Sequence, residues 1–224
     1  MTICSKSIAT QVLLLAFSTL IAVLTGILAQ ASFFLGPIPY TMQNVGIILG
    51  GLLLPPKHAL FSQLLYIVLI ALGLPMASGF KGGLHVLLSY TGGYIAGFPI
   101  ASFLMSIFTR AYLNLRKIKL YDVGVKDFIA LLLLSVVAAL PIYILGFIVF
   151  AYYALSNENL FSWVIKVSNA IGFSSNDRIL AIFLVSVAIF IPQDVLMDHV
   201  IAISTAKAIS SYLKQRGVVI EQNC

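Results

Sequence analysis

Few residues in this chain could do chemistry, and they are concentrated in three places. Asp194 and Asp198 stand four apart, so in a helix they lie one turn apart on one face. Pro192 suits the first turn of a helix, and Asp194 two residues on suits its positive N-terminal end. An ionised Asp at the centre of a membrane helix costs about 2.5–3.5 kcal/mol, and less near an end, so such residues are functional by default. Two carboxylates one turn apart repel, and one of them can hold a proton. Asp198 could equally bond a neighbouring helix. His199 projects away from the Asp face, and no second ligand stands at metal spacing, so it reads as a packing or hydrogen-bonding residue. The second place is Gln43, an amide just after Pro39-Tyr40-Thr41 at the start of a short apolar run. The third is the stretch from Gly73 to Gly93, where seven residues are Gly or Pro and Lys81 carries the one charge.

Much chemistry is excluded by what is missing. There is no G-x-x-x-x-G-K-[ST] phosphate loop, so the chain cannot hydrolyse a nucleotide by that route. No H-E-x-x-H, no G-x-S-x-G and no defensible Ser/Lys or Cys/His dyad is present. Cys4 and Cys224 sit at the two ends and suggest neither a disulfide nor a metal site. The expectation is a non-enzyme with no metal and no cofactor.

The elements that must position these residues follow from composition. Only 20 of 224 residues are charged, 9% of the chain, against roughly 25% in a soluble domain. Hydrophobic residues make up 61%, and the mean hydropathy is +1.07. This excludes a soluble enzyme, a disordered chain and a collagen-like repeat, and leaves a protein solvated mostly by lipid. The net charge of +6 does not imply nucleic acid, because no basic run is long enough to make a phosphate-binding face. No alternating strand pattern appears, so helices must satisfy the backbone.

The apolar runs predict an all-α membrane domain, 1–224, with six spans at about 8–30, 40–54, 58–75, 90–111, 127–153 and 192–213. With both termini cytoplasmic, ten of the 13 Lys and Arg lie on the inner side, and Lys81, Lys166 and Arg178 lie outside. That bias requires an even number of spans. The first apolar run, about 22 residues, is long for a signal-peptide core, which favours an uncleaved first span. The second span, fifteen residues, rises only ~22 Å against a hydrocarbon core of ~30 Å, so its start lies below the outer surface. A helix N-terminus at that depth points its N–H groups into a cavity, or Gln43 simply bonds a neighbouring helix. Gly- and Pro-rich backbone at membrane depth survives where it is buried in protein or lines a cavity, and the plain alternative is an outer loop. Ala22 and Gly26 form a small-xxx-small pair that lets helices approach.

Several segments, taken in order, resemble the BioY family. They are Gly36-Pro37-Ile38-Pro39-Tyr40-Thr41-Met42-Gln43, Gly50-Gly51-Leu52-Leu53-Leu54, Gly73-Leu74-Pro75, Gly82-Gly83-Leu84, Thr91-Gly92-Gly93-Tyr94 with Gly97-Phe98, and Pro192-Gln193-Asp194-Val195-Leu196. The resemblance covers about 8–110 and 185–214, and the part between matches only in hydrophobicity. It implies a six-helix S component of an energy-coupling factor transporter in the plasma membrane. Such a subunit captures biotin from the outer side and works with a transmembrane T component and two ATPases. On this resemblance the substrate-binding candidates are Gln43, Gly79, Lys81, Gly92, Gly93, Tyr94 and Asp194, and the partner-interface candidates are Ala22 and Gly26. Ser89-Tyr90 stands where the family has Gly-Pro, Gln193 where it has Gly, and Met197 where it has Lys. Other readings are a carrier for a related vitamin or a broader substrate range, a membrane assembly protein, and an intramembrane enzyme.

Overall fold

The computed structural model describes residues 8–34, 38–173 and 177–217. Cys4, Cys224 and Lys6 therefore lie outside the described residues. The chain is almost wholly helical. The helices are α1 (Ile8–Gln30), α2 (Gln43–Leu53), α3 (Pro56–Ala71), α4 (Leu84–Leu87), α5 (Gly92–Arg116), α6 (Val125–Ser156) and α7 (Glu158–Ala170). The long helical segment Arg178–Gln215 is named α8. Two short strands, β1 (Ser32–Phe34) and β2 (Pro39–Thr41), pair antiparallel between α1 and α2 with Phe33 opposite Tyr40. Among the described residues, α1, α5, α6 and α8 are the four helices long and apolar enough to cross a membrane, and α2 and α3 are shorter apolar helices.

Helix α2 is the hub. Its eleven residues span only ~16 Å, and ten of them are buried. Gly46 and Gly50, one turn apart, bring its backbone against Thr25 and Ile21 of α1. Gly51 does the same against Met105 of α5. The helix stops where Leu54-Pro55-Pro56 removes two consecutive N–H donors, and Pro56 opens α3 in the first-turn position that proline suits. Helices α5 and α6 form the most extensive pair. At their far end Asp127 accepts from Tyr112 at 2.8 Å, from Arg116 at 3.2 Å and from the Gly124 N–H at 3.2 Å, which fixes the turn between them.

The last span departs from its expected start at residue 192. The helix begins fourteen residues earlier, at Arg178, capped by the Asp177 side chain on the Ile179 and Leu180 N–H groups. Pro192 lies within this segment, in the first turn of the helical piece that restarts at Ile191 after a turn at Ile189 and Phe190. The preceding segment Leu184–Ala188 is π-helical, and the chain changes register before the proline. Ile189 N–H reaches back to Leu184 and Phe190 N–H to Val187. The missing donor of Pro192 falls at a place where the ladder is already irregular, so it is tolerated. Helix α7, outside the expected spans, starts with the Asn157 side chain accepting from Leu160 N–H at 3.1 Å.

Ala22 and Gly26, the partner-interface candidates, make close contacts within the chain. Ala22 is fully buried among Tyr66, Ile70 and Ala77. A methyl on Gly26 would lie 2.5 Å from Met76 Cε. The small pair lets α1 approach α3 and the loop after it, while Val12, Leu20 and Ile27 are exposed on the outer face of α1. Ala22→Leu is therefore expected to lower the thermal stability of the chain on its own by about 1–3 kcal/mol, as overpacking does. Melting of the purified chain in detergent checks this, and an unchanged midpoint would return Ala22 to the surface role.

Candidate functional site

The hairpin end of the bundle encloses a cavity of about 300 Å³. Its floor is polar. Asp194 is 5% exposed, and its Oδ2 accepts from the Tyr143 hydroxyl of α6 at 2.7 Å. The Asn44 side chain of α2 interacts with the same carboxylate. The Asp194 carboxylate thus has two side-chain donors, and with two oxygens it keeps acceptor capacity beyond them. The walls are apolar and aromatic: Ile95, Phe98, Ile142, Tyr90 and Phe190. Lys81 and His85 lie at the exposed side.

Each wall is held by a traceable contact. On one side, Gln43 accepts from Thr41 at 2.9 Å and donates to Tyr66 at 2.6 Å, and Tyr66 donates to the Met76 carbonyl at 3.1 Å. On the other, the π-helical turn leaves the Ser186 carbonyl for the Tyr94 hydroxyl at 2.7 Å. The hairpin closes over the cavity by stacking: Phe33 on Tyr40 at 4.8 Å, and Tyr40 on Phe190 at 4.3 Å. Gln193 donates to the Thr41 carbonyl at 3.2 Å and joins the hairpin to α8.

The turn that carries Lys81 is clamped by α1. Gln30 donates to the Ala77 carbonyl at 3.1 Å and accepts from Phe80 N–H at 2.9 Å. Ala77 and Lys81 exchange backbone hydrogen bonds at 2.9 and 3.2 Å. The chain turns between them through Gly79 at φ +72° and Phe80 at φ +56°. Gly79 meets the need of that turn and is not among the residues lining the cavity.

Gly92 and Gly93 likewise serve packing rather than the cavity surface. A methyl on Gly92 would lie 1.9 Å from the Leu87 carbonyl oxygen, and one on Gly93 would lie 2.2 Å from that of Leu145. They set the entry of α5 and its contact with α6, which in turn places Tyr94 and Ile95 on the wall. Of the residues singled out in the sequence, Gln43, Lys81, Tyr94 and Asp194 share the cavity. Asp198 is fully buried and lies outside the lining. Its segment, Asp194–His199, is π-helical, and His199 Nδ1 lies 2.8 Å from the Ser135 hydroxyl. Met197 is 41% exposed and also lies outside the lining.

Sequence reasoning missed Asn44, His85 and Tyr143. Asn44 had a signal, being a second amide beside Gln43 in an apolar run. His85 stood inside the Gly-rich stretch. Tyr143 had none, because a tyrosine in a 32-residue apolar helix looks like packing. Among the described residues, no group of three His, Cys, Asp or Glu could hold a metal ion.

A model of the BioY family matches residues 5–215. A protein of Pyrococcus horikoshii named "Probable biotin transporter BioY" is 47% identical over 88 residues, which are 39% of this chain and 54% of that one. One of Bacillus subtilis with the same name is 37% identical over 91 residues, 41% of this chain and 48% of the relative. The chain thus spans about half the length of these curated relatives. A solved structure described as the S-component for biotin from an ECF-type ABC transporter has a TM-score of 0.71 at 20% identity. It covers 92% of this chain and 95% of its own. That likeness gives the fold, and the family match over nearly the whole chain gives the membership: this chain belongs to the BioY family.

Proposed function

We propose that this chain is the membrane-embedded subunit that captures biotin and mediates its uptake, and that it is not an enzyme. The observation that carries the reading is the closed-floored cavity with Asp194 held between Tyr143 and Asn44. Biotin has an apolar bicyclic thioether, a ureido group and a carboxylate. The ureido N–H groups suit a buried carboxylate acceptor, since charge-assisted hydrogen bonds are stronger than neutral ones. The apolar ring system suits the aromatic walls. The carboxylate suits the exposed, cationic side and would be a poor neighbour for Asp194. The binding set in this reading is Asp194, Asn44, Tyr143, Gln43, Tyr94 and Lys81.

In the same reading the chain crosses the plasma membrane six times, with α2 and α3 as the short spans and both termini cytoplasmic. The cavity then opens outward, beside the Gly-rich loop between spans three and four. Energy comes from a T component and two ATPases, in keeping with the missing phosphate loop. Uptake of labelled biotin by cells expressing the chain, with and without those partners, tests the whole. Saturable uptake is expected, and its absence together with no binding to the purified chain would overturn the assignment. Lys81→Ala is expected to weaken biotin binding several-fold, within the range of an exposed ion pair. No change in affinity would remove Lys81 from the site.

A further inference from the structure

In the topology proposed above, the inner halves of α1 and α8 pack on α2 and leave an apolar groove of about 210 Å³ along it. Every residue lining the groove is Leu, Ile, Phe or Pro. Leu14 and Leu24 stand ~15 Å apart along its α1 side. Leu20, on the same side, is 62% exposed, so the groove opens sideways. Leu54 and Pro55 lie at its inner end, with Leu213 from α8. Pro55 is also the N-cap of α3. The Leu54 carbonyl accepts from Ser106 Oγ at 2.7 Å, and Ser106 Oγ in turn accepts from Arg110 Nη1 at 2.5 Å. The guanidinium thus sits behind the turn that ends the groove. Arg110 is 6% exposed, and its Nε and Nη2 are buried with no hydrogen-bond partner among the described residues.

Arginine cannot shed its charge, so burial leaves this cation in need of an anion. The inner end of the chain has none to spare. Among the described residues its acids are Asp122 and Asp127. Asp122 faces Lys214 at 4.0 Å, and Asp127 holds Arg116 and Tyr112. On the turn itself Lys57 is exposed. His58, within electrostatic reach of Arg110, has a buried Nδ1 without a hydrogen-bond partner among the described residues. The start of α3 adds the positive end of a sixteen-residue helix. We propose that the groove and the turn Leu54–His58 form a site for one anionic phospholipid of the inner leaflet. Its acyl chain lies along α1, α2 and α8, and its phosphate sits at Lys57 and the first turn of α3. Arg110 stays behind the turn and acts through its charge rather than by contact. An apolar helix of another protein would fill the groove but leave the charge unanswered, whereas a phospholipid answers both. The inner-leaflet assignment rests on the topology proposed above.

The test titrates the purified chain, in a neutral detergent, with phosphatidylglycerol and with phosphatidylcholine of the same acyl chains. Native mass spectrometry counts the bound lipid, and thermal melting reads its effect. One phosphatidylglycerol per chain is expected, held roughly 25-fold more tightly than phosphatidylcholine, a factor of about five for each of Lys57 and Arg110. Melting should rise with it, because the lipid binds only the folded chain. Lys57→Gln is expected to cut the preference about fivefold. Lys57 is exposed, so unchanged melting without lipid verifies an intact fold. Leu20→Gln is expected to weaken both lipids alike. Inorganic phosphate at the same concentration is expected to leave the melting temperature where it was. Equal binding of the two lipids, a preference unchanged in Lys57→Gln, or a shift with inorganic phosphate equal to that with lipid overturns the site. Biotin should bind both variants as it binds the wild type, so these outcomes leave the biotin reading standing. Labelling of Lys57→Cys, in a chain carrying Cys4→Ser and Cys224→Ser, by an impermeant thiol reagent from the outer side alone would overturn the topology and the inner-leaflet assignment with it.

Discussion

Replacing Asp194 by Asn is expected to weaken biotin binding about 100-fold, with the fold intact. A hydrogen bond to a charged group contributes about 1.5–3 kcal/mol, against about 1 for a neutral one. Asn keeps the shape and one acceptor, so Tyr143 can still donate to it. It loses the charge, and its NH₂ faces ligand donors where an oxygen had been. The loss is then about 2–3 kcal/mol, and each 1.4 kcal/mol is a factor of ten in affinity. Calorimetry on the purified chain measures it. Affinity equal to the wild type would sink Asp194 as the recognising group. Unchanged melting of the variant would show that the loss belongs to the site.

Gly93→Ala is expected to be strongly damaging to the packing of α5 on α6. The added carbon would lie 2.2 Å from the backbone oxygen of Leu145 and 2.8 Å from Val149 Cβ. A backbone oxygen within a helix cannot swing away as a side-chain tip can, so α5 and α6 must separate. Overpacking of this kind costs about 1–3 kcal/mol or more. In a domain of this size each kcal/mol shifts the melting temperature by roughly 2–4 °C, so a fall of about 5–10 °C is expected. Biotin binding should fall with it, because Tyr94 and Ile95 follow Gly93 directly on the cavity wall. Gly124→Ala is the matched control, since its new methyl would meet only Asp127 Oδ2 at 3.6 Å. Thermal melting in detergent compares the two, and equal midpoints would mean the α5–α6 contact is looser than described.

The two substitutions draw on different levels of the molecule. Asp194 was legible from the sequence because a carboxylate in an apolar stretch costs energy that only a role repays. Gly93 was legible as one of a cluster of glycines, but its task was not. Glycines that line a ligand site and glycines that admit another helix look alike in a chain, and only the position of Leu145 separates the two. Ala22 and Gly26 show the same ambiguity: spacing of four places both on one face without saying what that face meets. Pro192 was legible in part: it does stand in the first turn of a helical piece, restarting at Ile191, but nothing local showed that the helical segment reaches back past it to Arg178.

The sequence by itself determined the solvent, the helical class and the residues most worth testing. Those follow from local quantities: charge density, the lengths of apolar runs, and the energetic cost of Asp194 in a stretch without counter-charges. The tertiary structure decided which polar groups face one another. Tyr143, Asn44 and Asp194 come from three helices, and no spacing rule links positions 44, 143 and 194. Their meeting depends on the short, glycine-faced α2 sinking between α1 and α5, and on the irregular turns of α8 that aim Asp194 into the cavity and leave Asp198 and Met197 out of it. Side-chain direction in an irregular helix is set by how the helix packs, and that is information carried by the whole fold rather than by any segment of it.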